Sequence, residues 1–161
     1  MTDKPIINID DLDYMDFGDG GKFECKMGII AKTIGARDLG YNLTVVPPGK
    51  RAFPYHLHHK LEEMFFILEG EGKLRYNGKE HDLKKGDIIA CPPGPDGAHQ
   101  IINTGKAEMK FLAVSNSGGP EVAEYPDSGK VGIMCGTFEK PDLRLIVKND
   151  SGIGYFDGES D

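Results

Sequence analysis

Short runs in which apolar and polar residues alternate, separated by glycine- and proline-rich turns, recur along most of this 161-residue chain. A period of two places successive side chains on opposite faces, so each run indicates a half-buried β-strand. The chain has 22 glycines and 10 prolines, which favour turns and interrupt helices. No long segment shows a helical stripe, although Thr2–Met15 or Thr137–Arg144 has room for a short helical turn. The pattern therefore predicts an all-β antiparallel sandwich or barrel.

The alternation defines a set of candidate strands. They are Tyr41–Val46, Glu63–Leu68, Gly72–Tyr76, His81–Leu83, Asp87–Cys91, His99–Asn103, Met109–Val114, Val131–Cys135 and Leu143–Val147. Asn77-Gly78 separates two of these segments, and both residues tolerate the positive φ angles of a tight type I′ turn. We therefore expect a β-hairpin there.

One candidate strand is apolar on both faces. Glu63, Phe65 and Ile67 share one face, and the run Met64-Phe65-Phe66-Ile67-Leu68 makes the opposite face apolar as well. A strand with one face in water should instead alternate. The second face therefore needs cover, and we expect a homodimer to supply it, with the N-terminal segment as the alternative.

Charge and cysteine content limit the possible partners and the compartment. The formal net charge is −7, and much of the acidity lies in residues 1–20 and 150–161. Nucleic acid and anionic membranes both need a basic face, so neither is an expected partner. The start of the chain is acidic, unlike a secretory signal, and no apolar run reaches the length of a membrane span. Three cysteines without a Cys-x-x-Cys pair predict a reduced, cytoplasmic setting.

The histidines form the most informative cluster. His56 and His58 are two apart, so on an extended strand they point the same way, and Glu63 follows at the head of the apolar strand. His99 begins another candidate strand after a proline-rich corner. Three imidazoles and one carboxylate suit a divalent transition metal and leave coordination positions open for water or substrate.

These residues fall into two motifs. The first is Gly49, His56-Leu57-His58, Glu63 and Gly70, with four residues between His58 and Glu63 and six between Glu63 and Gly70. The second is Gly86, Pro92-Pro93-Gly94, His99 and Asn103. Together they resemble the two motifs of the cupins. The chain departs from that pattern by an extra residue after Gly49 and by the longer insertion Pro95-Asp96-Gly97-Ala98, which lengthens a loop near the metal ligands.

The resemblance implies a single-domain cupin jelly-roll β-barrel, an antiparallel double-stranded β-helix commonly assembled as a homodimer. It implies one domain over residues 1–161, with the motifs in 49–103, an N-terminal strand segment in 1–40, and C-terminal strands with an acidic tail in 120–161. It also implies one divalent metal, zinc, iron, manganese or nickel, held by His56, His58, Glu63 and His99.

The remaining candidates have simpler roles. His59 points opposite to His58 if the strand persists, so we expect an outward or supporting group, with a bend as the way it could replace a ligand. His81 is expected in solvent, and Cys91 as a small buried residue. Asn103 is expected to be structural.

Fold does not settle function, so three interpretations stay open. The first is metal-dependent isomerisation of a sugar or sugar phosphate, because two C-terminal segments, 124–130 and 155–159, resemble those of small cupins called sugar-phosphate isomerase-like. Candidate phosphate-binding cations are Lys50, Arg51, Lys60 and Arg75, but no catalytic base is evident. The second is an iron-dependent dioxygenase. The third is a non-catalytic cupin that binds or senses a small molecule.

Overall fold

The computed structural model describes residues 4–116, 119–136 and 140–159. Its strands are β1 (Tyr14–Gly18), β2 (Glu24–Ile29), β3 (Leu39–Val46), β4 (Leu57–His58), β5 (Glu63–Glu69), β6 (Glu71–Tyr76), β7 (Lys79–Lys84), β8 (Ile88–Cys91), β9 (His99–Ile102), β10 (Met109–Asn116), β11 (Glu121–Tyr125), β12 (Lys130–Gly136) and β13 (Pro141–Lys148). Helical structure in these residues is limited to 3-10 turns at Ile9–Asp11 and Pro95–Gly97. None of the described residues forms a helix that could span a bilayer. The fold is therefore all-β, as the alternation predicted.

The strands form three antiparallel sheets. The largest has the order β1-β2-β3-β10-β5-β8, a second has the order β7-β6-β9, and the third has the order β13-β12-β11-β4. Strands that are distant in sequence are neighbours in each sheet, as when β10 lies between β3 and β5. This order, with long connections between antiparallel neighbours, is that of a jelly roll.

The main core lies between the six-stranded and the three-stranded sheet. Phe65, Ile67 and Phe111 from the six-stranded sheet pack in one cluster with Leu74 and Ile101 from the three-stranded sheet. Ile67 is fully buried and Phe111 almost so. The inward face of β5 is therefore the face that the sequence assigned to the interior.

The N-terminal part of the same chain covers the outward face of β5 at its Leu68 end. Leu68 and Leu112 pack against a second cluster that includes Leu12 and Leu43, and Ile7 also joins it. Of the two covers considered for this face, the structure shows the N-terminal segment. A homodimer stays a prediction.

The predicted Asn77-Gly78 hairpin is present. Asn77 and Gly78 have φ angles of 45° and 76°, and Tyr76 pairs with Lys79 across the turn. The helical turn proposed for Thr2–Met15 occurs as Ile9–Asp11. The one proposed for 137–144 does not fit the described part of that range, because Pro141–Lys148 is a strand paired with β12, and residues 137–139 lie outside the described residues.

Candidate metal centre

Two backbone hydrogen bonds join His56 to His99. The His56 amide donates to the His99 carbonyl oxygen over 3.1 Å, and the His99 amide donates back to the His56 carbonyl oxygen over 2.8 Å. This is an antiparallel bridge outside the named strands. The third histidine, His58, lies on the short strand β4, and Glu63 is the first residue of β5.

The four side chains converge on one carboxylate oxygen. Oε2 of Glu63 lies 3.0 Å from Nε2 of His99, 3.2 Å from Nε2 of His58 and 4.0 Å from Nε2 of His56. Ligand atoms of His56, His58 and Glu63 all lie within 4.8 Å of one another. The structure therefore gathers all four residues that the sequence singled out.

The other ring nitrogen of each histidine faces an acceptor. Nδ1 of His56 lies 2.8 Å from the Pro54 carbonyl oxygen, and Nδ1 of His99 lies 2.9 Å from the Gly97 carbonyl oxygen. Nδ1 of His58 lies 3.3 Å from a carboxylate oxygen of Glu121. Because a carbonyl or carboxylate oxygen only accepts, each Nδ1 carries the hydrogen, and each Nε2 is left to face Glu63.

With each Nδ1 carrying the hydrogen, the atoms that meet at the centre are all acceptors, so they cannot pair with one another without an added proton or cation. Nε2 of His58, Nε2 of His99 and Oε2 of Glu63 are buried and make no hydrogen bond. Buried polar atoms are almost always paired, so three such atoms directed at one point need an explanation. A divalent cation would supply it, since neutral imidazole and carboxylate are good ligands for zinc, iron, manganese or nickel. These residues therefore fit the metal that the sequence implied.

Protons compete for the same atoms in the metal-free chain. Burial opposes the charged form of His99, but contact with Cys91 and Glu63 outweighs it and raises the pKa of His99 to about 10. The pKa of His58 is raised in the same way: burial opposes the shift and Glu63 causes it. Burial and then His99 lower the pKa of His56 to about 4. Glu63 is desolvated, yet its histidine neighbours hold the pKa of its carboxyl well below the ordinary value.

A cavity of about 380 Å³ opens beside the four side chains. Its walls are largely aromatic and apolar, with Phe17, Phe53, Phe65 and Phe111 among them. Three uncharged polar residues also line it: Asn42, Gln100 and Ser115. Within the described chain, no lysine, arginine or aspartate lines this cavity.

The candidate phosphate-binding cations lie elsewhere. Lys50 forms an ion pair of 2.8 Å with Glu24. The Arg75 guanidinium donates two hydrogen bonds to Asp127 and stacks on the Tyr55 ring, 3.8 Å from its centre. Arg51 and Lys60 are likewise absent from the cavity lining. The structure does not bring this group of cations to the site.

The secondary candidates take the places expected of them. Nε2 of His59 lies 2.7 Å from Glu124 at the surface, directed away from the cluster. His81 is exposed on β7, and Cys91 is 2% exposed in the main core. Asn103 is fully buried and hydrogen-bonded to the backbone.

The longer loop before His99 is part of the site. Residues Pro95–Gly97 form a 3-10 turn whose last carbonyl group accepts the hydrogen bond from His99. Gly97 approaches the Pro92 carbonyl oxygen so closely that a Cβ atom would lie 1.9 Å from it. The insertion therefore orients a candidate ligand, and only glycine fits at its closest point.

Sequence reasoning missed several residues of this site. Glu121 was not considered because its contact with His58 joins residues 63 positions apart. Asn42 and Gln100 lie in alternating runs whose inward face can be inferred, but nothing local marks them as cavity residues. Their inward position in a strand was the available signal.

Comparison with known proteins identifies the family of the central part of the chain. Residues 42–115 match the cupin domain family. An uncharacterised protein of Methanocaldococcus jannaschii is 37% identical over 71 residues, which are 44% of this chain and 54% of that protein. An oxalate-binding protein of Thermotoga maritima is 39% identical over 69 residues, 43% of this chain and 54% of that one. The matches thus span about half the length of these curated relatives.

Solved structures extend the likeness beyond the matched region. The crystal structure of a candidate sugar phosphate isomerase from Acidithiobacillus ferrooxidans superposes with a TM-score of 0.83. It covers 94% of this chain and 96% of that one at 22% identity, a level that speaks for the fold alone. With both histidine motifs and the jelly-roll fold in place, the family match shows that residues 42–115 of this chain form a cupin domain.

Proposed function

We propose that this chain holds one divalent transition metal through His56, His58, Glu63 and His99 and uses it to bind a small oxygen-bearing organic molecule in the adjoining cavity. The observation that carries the proposal is the convergence of three buried atoms without hydrogen bonds at the wall of that cavity. The chemistry such an ion supplies is Lewis-acid attraction for carboxylate, carbonyl or hydroxyl oxygens.

The charge of the cavity favours a ligand without phosphate. The only ionisable side chains in its described lining are the four proposed ligands. A phosphate group is normally met by arginine, lysine or a helix N-terminus, and the described lining has none of these. A carboxylate or a neighbouring carbonyl and hydroxyl pair needs no further cation. The oxalate-binding relative supports the carboxylate class.

The uncharged polar residues suit a ligand with hydrogen-bonding groups. Gln100 donates through its side-chain nitrogen to the Phe53 carbonyl oxygen, which leaves its side-chain oxygen as an acceptor. Asn42 accepts a hydrogen bond of 2.7 Å from the Thr44 hydroxyl, which leaves its side-chain nitrogen as a donor. The phenylalanine walls exclude water around these groups, and polar contacts gain strength in such surroundings.

Isomerisation of a sugar is the first reaction to test. The Acidithiobacillus ferrooxidans protein described above is a candidate sugar phosphate isomerase, and the reaction to test here is the same type of isomerisation on a sugar without the phosphate. The reaction needs a base to move a proton between carbons, and Glu63 is the one carboxylate in the described lining. Because the described lining has no lysine or arginine to meet a phosphate, we favour an unphosphorylated hydroxycarbonyl compound as the substrate for isomerisation.

Oxygen chemistry on iron is the second candidate reaction. Four phenylalanine side chains line the cavity beside the proposed ligands, and such apolar walls suit an apolar substrate and dioxygen. Binding without turnover is the remaining outcome.

The test begins with protein purified without chelating resin or added metal. Its metal content is measured, and oxalate, an aldose and the phosphate ester of that aldose are then titrated calorimetrically into metal-loaded and metal-stripped samples. We expect binding of oxalate or the aldose only to the loaded sample, and no tighter binding of the ester. Isomerisation and oxygen-uptake assays on the loaded sample separate the two reactions. Tight binding of the ester alone would overturn the proposed ligand class.

A further inference from the structure

Glu121 is a buried carboxylate next to the proposed metal centre. It begins β11, beyond the region that matches the cupin domain family, and it is 6% exposed. A buried carboxylate is costly unless hydrogen-bond donors surround it. The hydrogen-bond donors around the Glu121 carboxylate therefore show what stabilises it in this position.

All its donors belong to the segment that carries a proposed ligand. Oε1 lies 3.3 Å from Nδ1 of His58 and accepts a hydrogen bond of 3.2 Å from the His59 amide. Oε2 accepts a hydrogen bond of 3.0 Å from the Leu61 amide. One side chain thus fixes both the ring of His58 and the backbone that follows it.

The surrounding strand pairing holds Glu121 in this place. Its strand β11 is the partner of β4, with Ala123 opposite His58. The His59 amide also donates to the Val122 carbonyl oxygen over 2.9 Å. The contact between Glu121 and His58 is therefore set by a sheet and not by two mobile side chains.

We propose that Glu121 is a positioning residue of the metal centre, whose carboxylate accepts the Nδ1 hydrogen of His58 and so directs Nε2 of that ring toward the metal. The inference rests on the proposed metal-binding function. A carboxylate behind a histidine ligand fixes its tautomer and increases the basicity of the coordinating nitrogen. His56 and His99 are oriented by backbone carbonyl groups instead, so among the three histidines His58 is the one oriented by a side chain.

The substitution Glu121→Gln tests this with little change in shape. The glutamine oxygen can still accept from His58 and His59, but it is uncharged and therefore a weaker acceptor. The glutamine nitrogen cannot accept from the Leu61 amide, and the melting temperature of the metal-free protein reports the cost of that second loss. Glu124→Gln is the matched control, because Glu124 lies on the same strand and contacts the surface residue His59. The measurements are the dissociation constant for Co²⁺, the visible absorption spectrum of bound Co²⁺, and the melting temperature of each metal-free protein.

We expect Glu121→Gln to weaken Co²⁺ binding by about 10- to 100-fold and to change the Co²⁺ spectrum. Glu124→Gln should match the wild type in both. In a His58→Ala background, Glu121→Gln should have no further effect on affinity, which shows that it acts through that ring.

Three results count against the proposal. Unchanged Co²⁺ affinity and spectrum in Glu121→Gln would overturn it while leaving the metal centre in place. An equal loss of affinity in the His58→Ala background would also overturn it, because the effect would then be one on general stability. A wild type that takes up no Co²⁺ would overturn the proposed function itself, and this inference with it.

Discussion

Nε2 of His99 lies 3.0 Å from Oε2 of Glu63, although the two residues begin strands of different sheets. Glu63 begins β5 in the six-stranded sheet, and His99 begins β9 in the three-stranded sheet. The proposed ligands therefore connect the two sheets that enclose the main core. A substitution at either residue can therefore change both metal affinity and folding stability, so the two quantities should be measured separately.

Replacing His99 by alanine should weaken metal binding by more than about 100-fold, beyond the loss caused by removing only an orienting partner. Elemental analysis of protein reloaded with one metal and then desalted checks this. His81→Ala is the control, because His81 is exposed on β7. Full occupancy in His99→Ala would remove this residue from the ligand set.

His58 and His59 are adjacent but should behave oppositely. The His59 ring contacts Glu124 at the surface, whereas the His58 ring faces Glu63. His58→Ala should weaken binding so far that the metal is lost on desalting, although a residual affinity for Co²⁺ can still be titrated. His59→Ala should keep the metal in the same reloading experiment. The reverse pattern would mean that the strand is bent there and that the ligand register is off by one.

Metal binding should release protons at neutral pH. The raised pKa values of His58 and His99 mean that the metal-free chain holds protons on atoms that the metal needs. Lowering the pH favours those protons, so the metal affinity should decrease as the pH is lowered. As the pH is increased, the affinity should rise until His99 is deprotonated near pH 10. Calorimetry at pH 7 in buffers of different ionisation enthalpy should show release of about one proton or more per metal. Affinity that does not change with pH would argue against histidine ligands.

Replacing Asn103 by alanine should destabilise the fold by about 2–4 kcal/mol. Its side-chain nitrogen donates to the carbonyl oxygens of Val46 and Ala107, each over 2.8 Å, and its oxygen accepts from the Gly105 amide. The substitution would leave these groups unpaired in a fully buried position. Urea unfolding measures the change. Asn116→Ala, which removes one exposed hydrogen bond to Glu62, should cost under about 1 kcal/mol.

The chain should form a homodimer in solution. The structure covers the outer face of β5 with the N-terminal segment, but it leaves Leu143 50% and Ile146 53% exposed on the edge strand β13. Exposed apolar strand edges tend to become interfaces. Sedimentation equilibrium at micromolar concentration should give twice the chain mass of 17.6 kDa. A monomer would show that these side chains remain in water.

Local pattern was sufficient for the strands that alternate, and the two motifs were sufficient to nominate His56, His58, Glu63 and His99. Strand β4 has only two residues, so it has no period to detect, and its identity depends on pairing with β11. The contact of Glu121 with His58 could not be predicted for the same reason, since it depends on that pairing of distant segments. The absence of cations from the described cavity lining could not be predicted from local sequence either, because Lys50 and Arg75 pair with Glu24 and Asp127, which are distant in the sequence.

The late position of β11 in the sequence sets when the site can be completed. A chain emerging from the ribosome exposes His56, His58, Glu63 and His99 before residues 121–125 have been made, so all four are present while His58 still lacks its strand partner. Pairing between such distant segments forms slowly and only after both are available. We therefore expect the incomplete chain to hold a metal more weakly than the completed chain, in which Glu121 has reached His58.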